Sequence, residues 1–191
     1  MNKHDLVYLT EDASHDAIIE LINEEAFGPG RFTRSSARIR EQGPHDRSLS
    51  FICADDGETI ASVRLTPVTA GSVKGHLLGP LAVRPSHKNK GIGRELVRIA
   101  VEAARRAGSQ AVILVGDPPY YSQLGFEKVA WKALSFPGPT DPGRILVYPL
   151  APDVHARIHG VIGWRDPADV SVFDAVDEDE DYEPMLRVAN G

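Results

Sequence analysis

The chain has 191 residues, 42% of them apolar and 25% charged, which is ordinary for a globular protein and enough for one domain with a full core. Its net charge of −6 comes from one segment: residues 174–183 hold seven acids and no base, so the remainder is near neutral and offers no broad basic face to nucleic acid. A lone cysteine, Cys53, excludes a disulfide framework, no apolar run reaches membrane-spanning length, and the first residues lack a signal-peptide core, so a cytoplasmic protein without membrane contact is expected.

Residues 6–10 read as a first strand. Glu11-Asp12-Ala13-Ser14 supplies cap chemistry for a helix with apolar positions at Ala17, Ile18, Leu21, Ile22 and Ala26, stopped by Phe27-Gly28-Pro29-Gly30. Residues 35–42 suit a second short helix halted at Gly43-Pro44. Strands over 49–54 and 59–67 form a hairpin across Asp55-Asp56-Gly57. Residues 77–83 are an apolar strand interrupted by Gly79-Pro80. From Gly91 to Ala107 the apolar residues Ile92, Leu96, Ala100, Ala103 and Ala107 oppose Arg94, Arg98, Glu102 and Arg105, the pattern of a helix packed by one side.

Residues 111–115 are uninterruptedly apolar, as a central strand covered on both faces is. Gly116-Asp117-Pro118-Pro119 breaks that strand and 120–124 make a helical turn. Closing strands are expected over 126–131 and 145–150, with a Pro/Gly-rich loop at 136–143 between them. Beyond Leu150 the pattern weakens: 153–164 read as a helix, and the acidic tail as a solvated, flexible segment. No internal repeat and no second core is visible. The chain divides into a domain over 1–150 and a C-terminal extension over 151–191.

Between the strand at 77–83 and the helix that follows lie Arg84, His87, Lys88 and Lys90, with no acid from Arg84 to Arg94. A helix start presents unpaired N–H groups and partial positive charge, and Gly91 and Gly93 bare that backbone, which makes a phosphate site. It is not the dinucleotide fingerprint, because Leu96 stands where the third glycine belongs and seven residues separate Val83 from Gly91. It is not a P-loop, because Lys90 precedes Gly91 and Arg94 follows Gly93.

Lys88-Asn89-Lys90-Gly91-Ile92-Gly93 resembles the acyl-CoA motif of the GNAT superfamily of N-acetyltransferases, Gln/Arg-x-x-Gly-x-Gly/Ala, with Lys88 where a planar group is usual. A second segment, Gly116-Asp117-Pro118-Pro119-Tyr120-Tyr121-Ser122-Gln123-Leu124-Gly125-Phe126, is similar to the family's pattern of a tyrosine four residues before Gly-Phe. Together with Leu-Gly-Pro-Leu-Ala-Val at 78–83, it resembles the YhbS-like branch of predicted acetyltransferases. The resemblance spans roughly residues 6–150. It implies an α/β (α+β) fold: one GNAT-like domain with a mixed, mostly antiparallel central sheet, splayed central strands and flanking helices. It also implies acetyl-CoA as acyl donor and an amine, small-molecule or peptide, as acceptor.

The same resemblance implies roles. The strand break at Gly79-Pro80 would be the bulge that frees a strand edge, so that Leu81, Ala82 and Val83 run along the pantetheine arm. Lys88, Asn89, Lys90, Gly91, Ile92, Gly93 and Arg94 would hold the phosphates. Tyr121 would be the general acid beside the sulfur and Tyr120 a wall. Asp117, at the end of the 111–115 strand, is the candidate base, although Asp before Pro is a common turn former. The acceptor pocket would be built by 26–42 and the 136–143 loop. Direct transfer is expected, with Cys53 as buried filler, His76 as a strand residue and His155 and His159 as surface residues that complete no metal site. The runner-up is a non-catalytic CoA- or nucleotide-binding protein on the same scaffold; an acyltransferase for longer chains would differ only in the pocket beside the pantetheine end. The C-terminal excess is also available to pack on a second copy in a homodimer.

Overall fold

The computed structural model describes residues 6–30 and 35–168; the acidic segment 174–183 lies outside the described residues. In chain order the elements are β1 (Leu6–Thr10), α1 (Asp16–Phe27), α2 (Ser35–Arg40), β2 (Asp46–Asp55), β3 (Glu58–Ala70), β4 (Val73–Val83), α3 (Ile92–Arg106), β5 (Ala111–Val115), α4 (Pro118–Tyr121), β6 (Glu127–Lys128), β7 (Leu134–Ser135), β8 (Ile145–Pro149), α5 (Val154–Arg157), β9 (Gly160–Val161) and β10 (Gly163–Trp164). The main sheet runs β1-β2-β3-β4-β5-β8-β6, with β10 added to β3. Every pairing in it is antiparallel except β4–β5, so the expected mixed α/β fold is the observed one.

Local chemistry accounts for the elements. Asp56 and Gly57 take φ of 48° and 86°, the left-handed pair that lets a two-residue turn follow the strand twist between β2 and β3. Asp12 accepts from Ser14 N at 2.8 Å and caps a 3-10 turn that leads into α1. The side chains of β4, β5 and β8 alternate between two buried clusters, as a two-residue period requires. Leu78, Val112, Leu114 and Leu146 join the cluster beneath α3, while Leu77, Ile113, Ile145 and Val147 join the one on the opposite face. Within α3 the buried residues are Ile92, Leu96, Val97, Ala100, Val101 and Ala104, one continuous stripe laid on β2, β3 and β4.

Three sequence readings are corrected. The buried seam of α1 is Ile19, Ile22 and Asn23, and Leu21 is 46% exposed. The strand expected over 126–131 shrinks to Glu127–Lys128, because Trp131 turns out to solvent. The segment 153–164 is not one helix. Only Val154–Arg157 is helical; Ile158 is already extended at φ −82° and ψ 110°, and Gly160 follows at φ 80°. The chain instead extends, so that Ile158 and Ile162 are buried beside Val154 in the second cluster, and Trp164 pairs with Val68 on β3. Among the described residues no helix is long and apolar enough to cross a membrane.

Candidate active site

The site begins where two strands part. β4 pairs with β5 only at His76 with Val112 and Leu77 with Ile113. Beyond Leu77 the register on the other side slips as well, from Leu65–Leu78 to Val63–Leu81, so Gly79 and Pro80 together face Arg64. Pro80 has no N–H for the ladder, and Gly79 sits at φ 131°, so this dipeptide forms a bulge that turns the rest of β4 away from β5.

Two cavities open in the gap. The smaller, about 310 Å³, is walled by the parted strand ends (Leu78 to Leu81, Leu114 and Val115), by Tyr121, and by residues of α1 and α2. The larger, about 590 Å³, follows Leu81, Ala82 and Val83 to the turn at His87, Lys88 and Asn89, then to the start of α3. Phe27 and Leu81 line both, so the two cavities meet at the bulge.

At the far end of the larger cavity, Gly91 caps α3 with φ 81°, and the helix then runs for fifteen residues. The two glycines serve different ends. A Cβ on Gly91 would touch nothing within 4 Å, so its backbone conformation is what demands glycine. A Cβ on Gly93 would lie 3.2 Å from the Tyr120 hydroxyl and 3.7 Å from Val83 Cγ2, so there the requirement is space. The free N–H groups of the first turn and the side chains of Lys88, Asn89 and Arg94 thus border one hollow. Arg94 is steadied at 5.7 Å above the Tyr120 ring and donates to Gln123 Oε1 at 3.2 Å.

At the bulge end stands Tyr121. Its ring lies directly against Gly116, where any Cβ would collide with it. Edge-on contacts continue from Tyr120 to Tyr121 (4.9 Å), to Phe126 (5.7 Å) and to Tyr148 (5.5 Å), fixing the phenol on the sheet. Burial, with Tyr120 adding to it and Arg144 opposing, pushes the Tyr121 phenol up to about 12, so it stays protonated at neutral pH.

The helix walls are held by charge. Glu11, with a fully buried side chain, receives Arg64 Nε at 2.9 Å, Arg47 Nη1 at 2.8 Å and a contact from His45 Nε2 at 2.8 Å. Arg47 and Arg64 also donate to Asp16 at the head of α1. Burial pulls the Glu11 carboxyl upward, but the hydrogen bonds from His45 and Arg64 outweigh it and hold the group below its usual range. On the other side, Arg38 donates to Pro137 O at 3.2 Å and Thr140 to Ser35 Oγ at 2.6 Å, tying α2 to the 136–143 loop. Trp164 stacks on Gly43, where a Cβ could not fit, and donates its backbone N–H to Gln42 Oε1 at 2.9 Å and its indole N–H to Pro44 O at 3.0 Å.

Most residues singled out in the sequence converge here. Leu81, Ala82, Val83, Lys88, Asn89, Gly91, Ile92, Gly93 and Arg94 line the larger cavity, Tyr120 is a wall of it, and Tyr121 lines the smaller. Lys90 is exposed and lines neither. Asp117 is exposed at the head of α4, where its backbone carbonyl accepts from the N–H groups of Tyr120 and Tyr121, and its side chain lines neither cavity. The 136–143 loop acts by holding α2 and does not itself line the smaller cavity. His76 lies at the paired end of β4, 5% exposed and 3.0 Å from Ser109 Oγ, with burial lowering its pKa to about 4. Cys53 is fully buried, and that burial raises its thiol pKa, which disfavours the thiolate a nucleophile needs. Among the described residues no three His, Cys, Asp or Glu side chains gather as metal ligands. Two residues went unread: Gly116 as the seat of the tyrosine, and Asn23, a polar residue four after Ile19 on the buried seam of α1.

Comparison with known proteins agrees with this geometry. Residues 15–126 match the Acetyltransferase (GNAT) family. YhbS of Escherichia coli (strain K12), described as an uncharacterized N-acetyltransferase, is 30% identical over 131 residues, covering 67% of this chain and 77% of its own. YjhQ of the same organism, described likewise, is 29% identical over 134 residues, covering 68% and 74%. The crystal structure of Escherichia coli YhbS in complex with CoA superposes with a TM-score of 0.70 at 26% identity, over 84% of this chain and 89% of that one. A GNAT acetyltransferase from Brucella melitensis in complex with acetyl-CoA shares the fold, with a TM-score of 0.63 at 23% identity over 85% and 97%. The motif at the start of α3, the parted strands and the family match lead to one conclusion: this chain belongs to the GNAT family of acetyltransferases.

Proposed function

We propose that the protein moves an acetyl group from acetyl-CoA to a primary amine by direct transfer. The observation that carries this reading is the continuity of the two cavities through Phe27 and Leu81, with a bared helix start at one end and a buried phenol at the other. The structure of YhbS, similar in fold, was solved in complex with CoA, which supports CoA as the ligand, and the cofactor is assigned here to the larger cavity. In that reading the amides of Ile92, Gly93 and Arg94, with Lys88 and Asn89, hold the phosphates. Lys90 contributes charge from outside the hollow. Leu81, Ala82 and Val83 run along the pantetheine arm, and one backbone N–H there polarises the thioester oxygen.

The thioester then sits at the bulge, facing the smaller cavity and Tyr121. As the amine nitrogen bonds to the carbonyl carbon, the C–S bond breaks and the phenol hydrogen-bonds to the departing sulfur. A phenol near 12 is a weaker acid than a thiol near ~8.5, so complete proton transfer requires the proton that the nitrogen sheds. Asp117 lies outside both cavities, so we assign deprotonation of the incoming ammonium to water at the cavity mouth. A cavity of about 310 Å³ suits a small amine or one amine-bearing side chain. The single buried cysteine fits a reducing, cytoplasmic setting.

Calorimetric titration with CoA tests the first half of this reading, and failure to bind at millimolar ligand overturns it. Thiol release from acetyl-CoA across a panel of primary amines tests the second half. Binding without release under any of them makes the protein a CoA-binding module instead.

A further inference from the structure

Asn23 stands where α1 faces the sheet, on the seam it shares with Ile19 and Ile22. It is 3% exposed, and its Oδ1 has no hydrogen-bond partner. A buried amide oxygen left unmatched costs stability, and an apolar side chain at this seam would avoid that cost. The hydroxyls of Ser62 and Thr66 are also buried without partners, but neither residue lines either cavity, whereas Asn23 lines the one that holds Tyr121 and the bulge.

We propose that Asn23 receives the acceptor, its carboxamide oxygen accepting one N–H of a primary amine so that the nitrogen lone pair faces the thioester carbon. The proposal rests on the transfer reading above and extends it to the acceptor's chemical class. Oδ1 is itself shielded from solvent as observed, and a turn of the carboxamide about its broad terminal torsion would bring it to the cavity. In the step itself, the nitrogen of R–NH₂ bonds to the acetyl carbon and the C–S pair leaves on sulfur. Sulfur ends protonated, and the nitrogen gives up one of its two hydrogens. The other hydrogen stays on Oδ1 from the amine through to the amide product. The nitrogen turns positive as the bond forms, so this hydrogen bond is stronger in the transition state than in the ground state. A secondary amine has only one hydrogen, and losing it leaves Oδ1 unmatched again, so the site selects primary over N-methylated amines.

The test uses the full chain with acetyl-CoA, n-butylamine and N-methylbutylamine, reading thiol release, CoA affinity and melting temperature. Asn23→Leu keeps the shape without the polar atoms. It is expected to melt no lower than wild type, to bind CoA unchanged, and to lose roughly 10–100-fold in kcat/KM for n-butylamine, the range for one transition-state hydrogen bond. The wild-type preference for n-butylamine over its N-methyl form disappears in this variant. Asn23→Asp keeps an oxygen in place and retains more turnover than Asn23→Leu. A lower melting temperature for Asn23→Leu makes Asn23 structural and overturns the proposal, as does unchanged turnover or equal wild-type use of the two amines. A wild type that binds CoA yet releases no thiol with any primary amine overturns the transfer reading along with it, an outcome distinct from a failure confined to the variants.

Discussion

The two cavities that meet at the bulge are made in opposite ways. The larger comes mostly from one continuous stretch: a strand edge, a left-handed glycine and the first turn of a fifteen-residue helix, all within residues 81–94 apart from Ala26, Phe27 and Tyr120. The smaller is assembled from separate elements, α1, α2, two strand ends and α4, which lie as far apart in sequence as Glu20 and Tyr121. Backbone groups present the same dipoles whatever the side chains are, so the first cavity tolerates substitution except where bulk enters. The second changes its chemistry with each residue. A common donor and a variable acceptor call for that division.

Breaking the first cavity requires volume. Gly93→Val places methyl groups against Tyr120 and Val83, and CoA affinity measured by calorimetry should fall roughly 100-fold or more with the fold retained; a loss under tenfold would move the phosphates elsewhere. In the second cavity the chemistry should fail without the binding. Tyr121→Phe is expected to lower kcat roughly 10–100-fold at unchanged CoA affinity, and an unaltered turnover number removes the phenol from the mechanism. Lys88→Ala sharpens the backbone argument: its CoA affinity should drop only about 3–10-fold, a loss that shrinks with added salt because amides do most of the holding. Smallest of all, Asp117→Asn should leave kcat within about twofold, as for a surface position, and a tenfold drop would restore Asp117 as the base.

The contrast also decides what could be read in advance. The strand, glycine turn and helix of residues 77–107 advertise the proposed phosphate site locally, because such a site at a helix start needs only neighbours in sequence. Tyr121 was legible through its spacing to Gly125-Phe126. Its seat on Gly116 was not, since close approach of a ring to a backbone is a tertiary fact. Asn23 carried a usable signal, a polar residue in phase with Ile19. Reading the helix stripe through Ala17 and Leu21 put the seam on the wrong side and hid it. The 153–164 segment misled because a short apolar period fits a helix and a buried extended chain alike, and the chain is already extended at Ile158.

The clasp of Trp164 on the 42–44 turn has a practical corollary. The family match ends at residue 126, and the acetyltransferase pattern visible in the sequence ends near Leu150. A chain cut near Leu150 would lose Val154, Ile158 and Ile162 from the interior, and with Trp164 the lock on the turn that follows α2; one cut at 126 would also lose β8, whose Leu146 lies beneath α3. In the proposed reading, the cut near Leu150 would loosen the acceptor wall while the phosphate-binding turn, built upstream, stayed whole. On that reading, a protein ending there would still capture CoA but would have little left with which to choose an acceptor.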